Sequence, residues 1–221
     1  MYVIFDMDGV ISDSEAVYLA GYLHAARLYD LPEELMRTAV GRATGVTDEM
    51  ERRIMEDTFG HLPQFRMDRT YRACREYFAE VVESGQMDLK PGAAQILRYL
   101  KDREIPVGLA SSSPRAMIEK VLGRHGVLQY FDAIVSGDMV TRSKPDPEIF
   151  LMCADKLEIP LSKYSEIYVI EDSYNGIRAA YAAGMNPVMV PDQLPPTEEM
   201  RGKTAAILPS LTDVIEWFEI R

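Results

Sequence analysis

Tyr2-Val3-Ile4-Phe5-Asp6-Met7-Asp8-Gly9 stands at the start of the chain: four apolar residues, then two carboxylates one residue apart, then glycine. An unbroken apolar run of that length suits a strand covered on both faces, as in a parallel sheet. Similar runs recur at Val107-Gly108-Leu109-Ala110, Ala133-Ile134-Val135, Ile167-Tyr168-Val169-Ile170 and Pro187-Val188-Met189-Val190, with Ala205-Ala206-Ile207-Leu208 a further candidate. Helical patterns lie between them. Ile96, Leu97 and Leu100 fall at helical spacing within 93–102, and Phe150, Ala154 and Leu157 do so within 147–157. Asp146 is placed to cap the latter helix, with Pro147 at its first position. Ile177, Ala180 and Tyr181 line one side of 175–183. Strand, helix and strand in repetition describe a doubly wound parallel α/β sheet.

One connection is too long. About 100 residues separate Phe5 from the run at Val107, where a crossover helix needs only about a dozen or more. The insert holds no strand-like run and reads as four helices over 15–28, 32–40, 48–59 and 65–84. Gly41 is expected to cap the second and Thr47 to start the third, while Phe65, Tyr71, Cys74, Phe78 and Val81/Val82 form a stripe along the fourth. The organisation expected is an α/β core over 1–13 and 89–221 and an all-helical inserted domain over 14–88. Ser12-Asp13-Ser14 and Leu89-Lys90-Pro91-Gly92 would be its hinges.

The 221 residues include 35 Asp+Glu against 24 Lys+Arg, a net charge of −11, which argues against a nucleic-acid binder. Hydrophobic residues make up 47%, enough for a sizeable core. No apolar run approaches the ~18 residues a membrane helix needs, and the N-terminus lacks the basic region of a signal peptide. Cys74 and Cys153 sit in apolar helical patterns without metal or redox spacing, as buried reduced thiols do. A cytoplasmic monomer with no membrane partner is the expectation.

Ligands of open α/β sheets sit beyond the carboxyl ends of the strands, and four of these ends are polar. Asp6 and Asp8, at i and i+2, can point the same way, and like charges so close repel unless a cation or proton separates them. Asp8-Gly9 alone also suits an ordinary turn. Ser111-Ser112-Ser113-Pro114 offers hydroxyls and N–H groups for an anion, and equally a routine helix start. Lys144 precedes a helix N-terminus, where the macrodipole disfavours a cation unless an anion is also there; a solvated lysine is the alternative. Glu171-Asp172 is a second acidic pair, which can cap a helix or, together with the first, hold a hard divalent cation such as Mg²⁺.

In combination these residues resemble the haloacid dehalogenase-like phosphohydrolases, in the branch with a small helical cap after the first motif. The four motifs occur in order: Asp6-Met7-Asp8-Gly9-Val10, Ser111, Lys144-Pro145 and Glu171-Asp172. Asp13-Ser14, Pro91-Gly92 and Gly176-Ile177 also match, and the resemblance covers nearly the whole chain. It is closest to the sugar-phosphate phosphatases and β-phosphoglucomutases. The resemblance implies a Rossmann-like core and a Mg²⁺-dependent phosphatase of a small phosphorylated metabolite, a sugar phosphate in particular. Asp6 would be the nucleophile that forms an aspartyl-phosphate, and Asp8 the general acid–base. The carboxylates of Asp6 and Asp172 and the backbone carbonyl of Asp8 would hold Mg²⁺, with Glu171 an outer or optional ligand. Ser111 and Lys144 would bind the phosphate oxygens, with Ser112, Ser113, Ser14 and Arg42 towards the substrate.

Asp8 separates phosphoryl transfer from dehalogenation, since a halide leaves without an acid. The branch that cleaves phosphonates uses a cap lysine, and all seven lysines here lie outside 15–88. The inserted segment carries nine arginines among 14 acids, so it is not a basic module. Arg42 is singled out because it follows Gly41 where the family's caps place a substrate-facing loop; Tyr71 and Arg72 are weaker candidates. A sugar phosphomutase is the alternative reading. The mutases carry a threonine and, four residues later, a histidine where this chain has Ser14 and Tyr18; His24 is off register.

Overall fold

The computed structural model describes residues 1–43 and 48–220. In chain order, strand β1 (Tyr2–Phe5) is followed by helices α1 (Ser14–Leu28), α2 (Glu33–Ala43), α3 (Asp48–Phe59) and α4 (Met67–Ser84). Then come α5 (Ala93–Asp102), β2 (Val107–Ala110), α6 (Arg115–Arg124), β3 (Ala133–Val135) and α7 (Glu148–Lys156). The chain ends with β4 (Ile167–Glu171), α8 (Tyr174–Ala182), β5 (Asn186–Met189), α9 (Glu198–Lys203), β6 (Ala206–Ile207) and α10 (Leu211–Glu219). It divides into two compact units, Met1–Asp13 with Asp88–Arg221, and Ser14–Met87.

The first unit is the α/β fold read from the apolar runs. Its six strands lie in the order β3-β2-β1-β4-β5-β6, every pair parallel. β1 and β2 are hidden from water almost along their length, as strands between two helical layers must be. Ile4, Val135, Phe150, Cys153, Ile167, Val169 and Ala180 belong to one buried cluster. The chain winds outward from β1 through β2 to β3, then returns to place β4 on the other side of β1. That reversal is the topological switch at which such sheets bind ligands. The linkers to the second unit form a short ribbon: Asp13 N–H donates to the Asp88 carbonyl and Lys90 N–H to that of Ile11, both at 2.9 Å.

Among the described residues, the second unit forms helices and no strand. α1 to α4 enclose a core that includes Tyr22, Leu23, Met36, Met55, Phe59, Phe65 and Cys74. α1 and α4 approach closely because Gly21 lacks a side chain: a Cβ there would stand 2.9 Å from the Cys74 carbonyl oxygen and sulfur. Both cysteines are buried and unpaired, and burial pushes both thiols up to about 12. No helix among the described residues is long and apolar enough to cross a membrane.

Several local expectations need correction. Gly41 does not end α2, because it stays helical and the helix runs on to Ala43. Arg42 is therefore in the last turn of a helix and not in a loop. The expected Thr47 cap lies outside the described residues. Phe65 precedes α4, although it is buried as expected. Pro147 stands just before α7, yet Asp146 Oδ1 still accepts the Glu148 N–H at 3.0 Å. Tyr181 is 52% exposed and lines no core; its ring carries the Lys203 ammonium 4.5 Å from the centroid.

Candidate active site

The residues after β1 fold back at once. The Met7 carbonyl accepts N–H groups of Ile11 and Ser12 at 2.8 Å, and Gly9 takes φ +77, which costs glycine little. The Asp6 N–H continues the β1–β4 ladder by donating to Ile170. Asp6 is thus fixed at the strand end, 6% exposed. Asp8 is more open. Its Oδ2 accepts from Ser111 Oγ at 3.2 Å and Ser113 Oγ at 2.8 Å, both from the turn after β2. Ser111 Oγ in turn accepts the Ser113 N–H at 3.0 Å. Ser112 is exposed.

Lys144 reaches the same place from the loop before α7. Its Nζ donates to Asp6 Oδ1 at 2.5 Å, Glu171 Oε1 at 2.8 Å and the Ala110 carbonyl at 3.2 Å. An ammonium has three N–H bonds, and each finds an acceptor. The Lys144 and Asp6 side chains are both 8% exposed. The Phe150 ring lies 4.8 Å from the same nitrogen.

β4 supplies the opposing acids. Glu171 is 1% exposed, with Oε1 on Lys144 and Oε2 accepting the Ser173 N–H at 2.7 Å and hydroxyl at 2.9 Å. Both oxygens are engaged by the protein, so the expected optional metal ligand is in the first place the second carboxylate on Lys144. Two glycines make room for these acids. A Cβ on Gly176 would lie 1.6 Å from Glu171 Oε1, and one on Gly9 would lie 2.5 Å from Asp172 Oδ2. Neither clearance was read from the sequence; a glycine in the first turn after an acidic pair was the available signal. Ser173 was missed too. It caps α8 by accepting the Gly176 N–H while donating to Glu171.

The electrostatics call for a further positive charge. Asp6, Asp8, Glu171 and Asp172 bring four carboxylates to the neighbourhood of the Lys144 ammonium. Burial pushes the Asp6 carboxyl up, to about 8, against the pull of Lys144 and with Glu171 and Asp8 adding to the push. Burial works against charge on Lys144 as well, but Asp6 and Glu171 outweigh it and hold the ammonium above its usual range. Carboxylate oxygens of Asp6, Glu171 and Asp172 lie within 4.8 Å of one another. An all-oxygen donor set with excess negative charge fits a hard divalent cation.

The remaining expected site residues belong to the helical unit. Arg42 and Arg72 are exposed, and Tyr71 is half-buried with the Arg75 guanidinium 5.6 Å from its ring centroid. Ser14 corrects its expectation. It opens α1 fully buried, its hydroxyl without a hydrogen-bond partner among the described residues, and it presents no surface to a substrate. His24 is exposed and stacks on Tyr77.

A family model described as haloacid dehalogenase-like hydrolase matches residues 1–184. The chain belongs to the haloacid dehalogenase-like hydrolases. It is therefore an enzyme, as the order of its motifs implied. A phosphorylated carbohydrates phosphatase from Thermotoga maritima is 34% identical over 84% of this chain and 82% of its own length. A beta-phosphoglucomutase from Bacillus subtilis is 33% identical over 85% and 82%. Among solved structures, a putative beta-phosphoglucomutase from Thermotoga maritima superposes with a TM-score of 0.79 at 27% identity, covering 100% of this chain and 99% of the other.

Proposed function

We propose that this hydrolase is a Mg²⁺-dependent phosphatase of a small phosphorylated metabolite, a sugar phosphate in particular, acting through an aspartyl-phosphate. The observation that carries the reading is the buried Asp6 carboxylate, 2.5 Å from the Lys144 ammonium and grouped with Glu171 and Asp172. A buried carboxylate is a nucleophile only while it is ionised, and Lys144 opposes the effect of burial. In the first half-reaction an Asp6 oxygen forms a bond to phosphorus as the ester P–O bond breaks. Asp8 gives its proton to the departing alcohol oxygen. In the second, Asp8 takes a proton from water as that water attacks phosphorus and frees Asp6. Lys144 and Ser111 bind the non-bridging oxygens that travel with phosphorus, where charge is greatest in the transition state. Asp6, Asp172 and the Asp8 carbonyl would hold Mg²⁺, with Glu171 adjoining; the ion supplies charge neutralisation at the phosphoryl oxygens.

The test is phosphate release from a panel of phosphomonoesters that includes hexose phosphates. Turnover is expected with Mg²⁺ and lost with EDTA or with Asp6→Asn. Retained turnover in Asp6→Asn removes Asp6 as the nucleophile. The two relatives named as β-phosphoglucomutases favour a second reading, transfer back to the sugar. Ser14 and Tyr18 at the positions of the mutase threonine and histidine weigh against it. β-Glucose 1-phosphate separates the two: a mutase yields glucose 6-phosphate, a phosphatase free phosphate.

A further inference from the structure

Lys144 makes its three contacts from a stretch, 141–147, that is neither helix nor strand. Something must fix that stretch, and the contacts around it converge on one side chain. Glu148 Oε1 accepts the Thr141 N–H at 2.8 Å and the Thr141 hydroxyl at 3.1 Å. Glu148 Oε2 accepts the Arg142 N–H at 3.0 Å and the Arg142 Nε–H at 3.2 Å. Two consecutive backbone N–H groups upstream of Lys144 therefore end on a carboxylate downstream of it. Arg142 also pairs with Asp146 at 3.0 Å, and the Asp146 N–H closes a turn onto the Ser143 carbonyl at 3.0 Å.

We propose that Glu148 is the positioning residue for Lys144: its carboxylate ties the upstream end of the Lys144 loop, at Thr141 and Arg142, to α7 and so holds the ammonium on Asp6. This deepens the phosphatase reading and rests on it. Ordinary helix capping is a different arrangement. A capping side chain satisfies the N–H groups of its own helix's first turn, whereas Glu148 is already inside α7 and takes N–H groups six and seven residues upstream. α7 is a firm anchor, because Ile149, Phe150, Cys153 and Ala154 are all buried in the core. The Thr141 N–H leads the donors that hold the Glu148 carboxyl below its ordinary range, so it is ionised at neutral pH. The loop itself is exposed at Thr141, Arg142 and Ser143, so little packing would hold it without that carboxylate.

The consequence is catalytic and not simply structural. A phosphate oxygen gains most from Lys144 in the transition state, so misplacing the ammonium lowers kcat more than it raises KM. The experiment compares wild type with Glu148→Ala, Glu148→Gln and Glu148→Asp on the phosphomonoester that wild type turns over best, with Mg²⁺. Displacement of about 1 Å in a catalytic group can cost about 100-fold; Glu148→Ala is expected to lose at least about 10-fold in kcat with KM within about twofold. Glu148→Gln keeps one acceptor oxygen and should lose less, and Glu148→Asp, one methylene short, should resemble the alanine variant. Inhibition by orthovanadate should weaken in step with kcat/KM, which partial unfolding would not produce, since unfolding lowers active-site concentration and leaves the inhibition constant alone. An unchanged kcat, or a lowered kcat with unchanged vanadate inhibition, overturns the inference while leaving the phosphatase intact. Wild type inert towards every phosphomonoester overturns the function and this inference with it.

Discussion

Replacing Gly176 with alanine sets two effects of opposite sign against each other. Gly176 lies in the first turn of α8, and alanine is favoured over glycine within a helix by about 1 kcal/mol. Propensity alone therefore makes Gly176→Ala stabilising. The structure gives the other sign, because the new Cβ would stand 1.6 Å from Glu171 Oε1 and 1.9 Å from its Cδ. Glu171 is 1% exposed and held at both oxygens, so it moves only by leaving Lys144 and Ser173. Breaking a buried pair by displacing one partner costs about 3–5 kcal/mol. Less the helix gain of about 1 kcal/mol, the net loss is about 2–4 kcal/mol. At about 2–4 °C per kcal/mol for a chain of this size, Tm should fall by roughly 4–16 °C. The assay is a thermal melt of four proteins: wild type, Gly176→Ala, Glu171→Ala and the double variant. With Glu171 truncated the obstruction is gone, and Gly176→Ala should change from destabilising to neutral or slightly stabilising. A Gly176→Ala single variant as stable as wild type, or the same loss in both backgrounds, would refute the reasoning.

Two further substitutions probe other parts of the same unit. Gly9→Ala places a Cβ 2.5 Å from Asp172 Oδ2 on a backbone at φ +77; displaced supports of a metal ligand cost about 10–100-fold in affinity, so the Mg²⁺ concentration for half-activation should rise by at least about 10-fold. An unchanged Mg²⁺ titration would exclude Asp172 as a ligand. Lys90→Met removes the ammonium that Asp192 and Asp13 share at 2.9 and 3.3 Å, and Asp192 Oδ2 is already buried without a partner; about 2 kcal/mol of stability should be lost. Burial lowers the Lys90 pKa, but the Asp192 and Asp13 carboxylates raise it further, to a position above 10.5. A raised lysine pKa stabilises the fold below 10.5 and ceases to do so as pH climbs through the folded value. The stability gap to the methionine variant should thus stay level at about pH 7–9 and close at higher pH; a gap that widens with pH would contradict the sign.

The strands were legible because strands buried on both faces are written as short unbroken apolar runs. β1, β2 and β3 coincide with theirs residue for residue, and β4 extends by Glu171 alone. Helix ends were less legible. Gly41 looks like a stop signal, yet glycine ends a helix only where the chain turns to positive φ, and here it does not. Tyr181 fits a helical stripe but finds no apolar partner on its side of α8. The acids of the site were visible as residues at strand ends. Lys144, Ser111 and Ser113 came with the family resemblance, but the hydrogen bond from Ser113 to Asp8 and the part played by Glu148 are announced by nothing near them in sequence.

The sequence alone determined the strands, the helical insertion and the inventory of charged groups, because periodicity, chain length and side-chain chemistry are local properties. Only the tertiary structure decided which of those groups meet. Lys144 is 138 residues from Asp6 along the chain and 2.5 Å from it in space. That contact depends on β3 and β2 lying beside β1 and on a loop tied at Thr141 and Arg142 to α7. Glu171 fits beside Lys144 because Gly176 has no Cβ. Pairing, loop closure and steric clearance are relations between distant segments, and no local pattern encodes them.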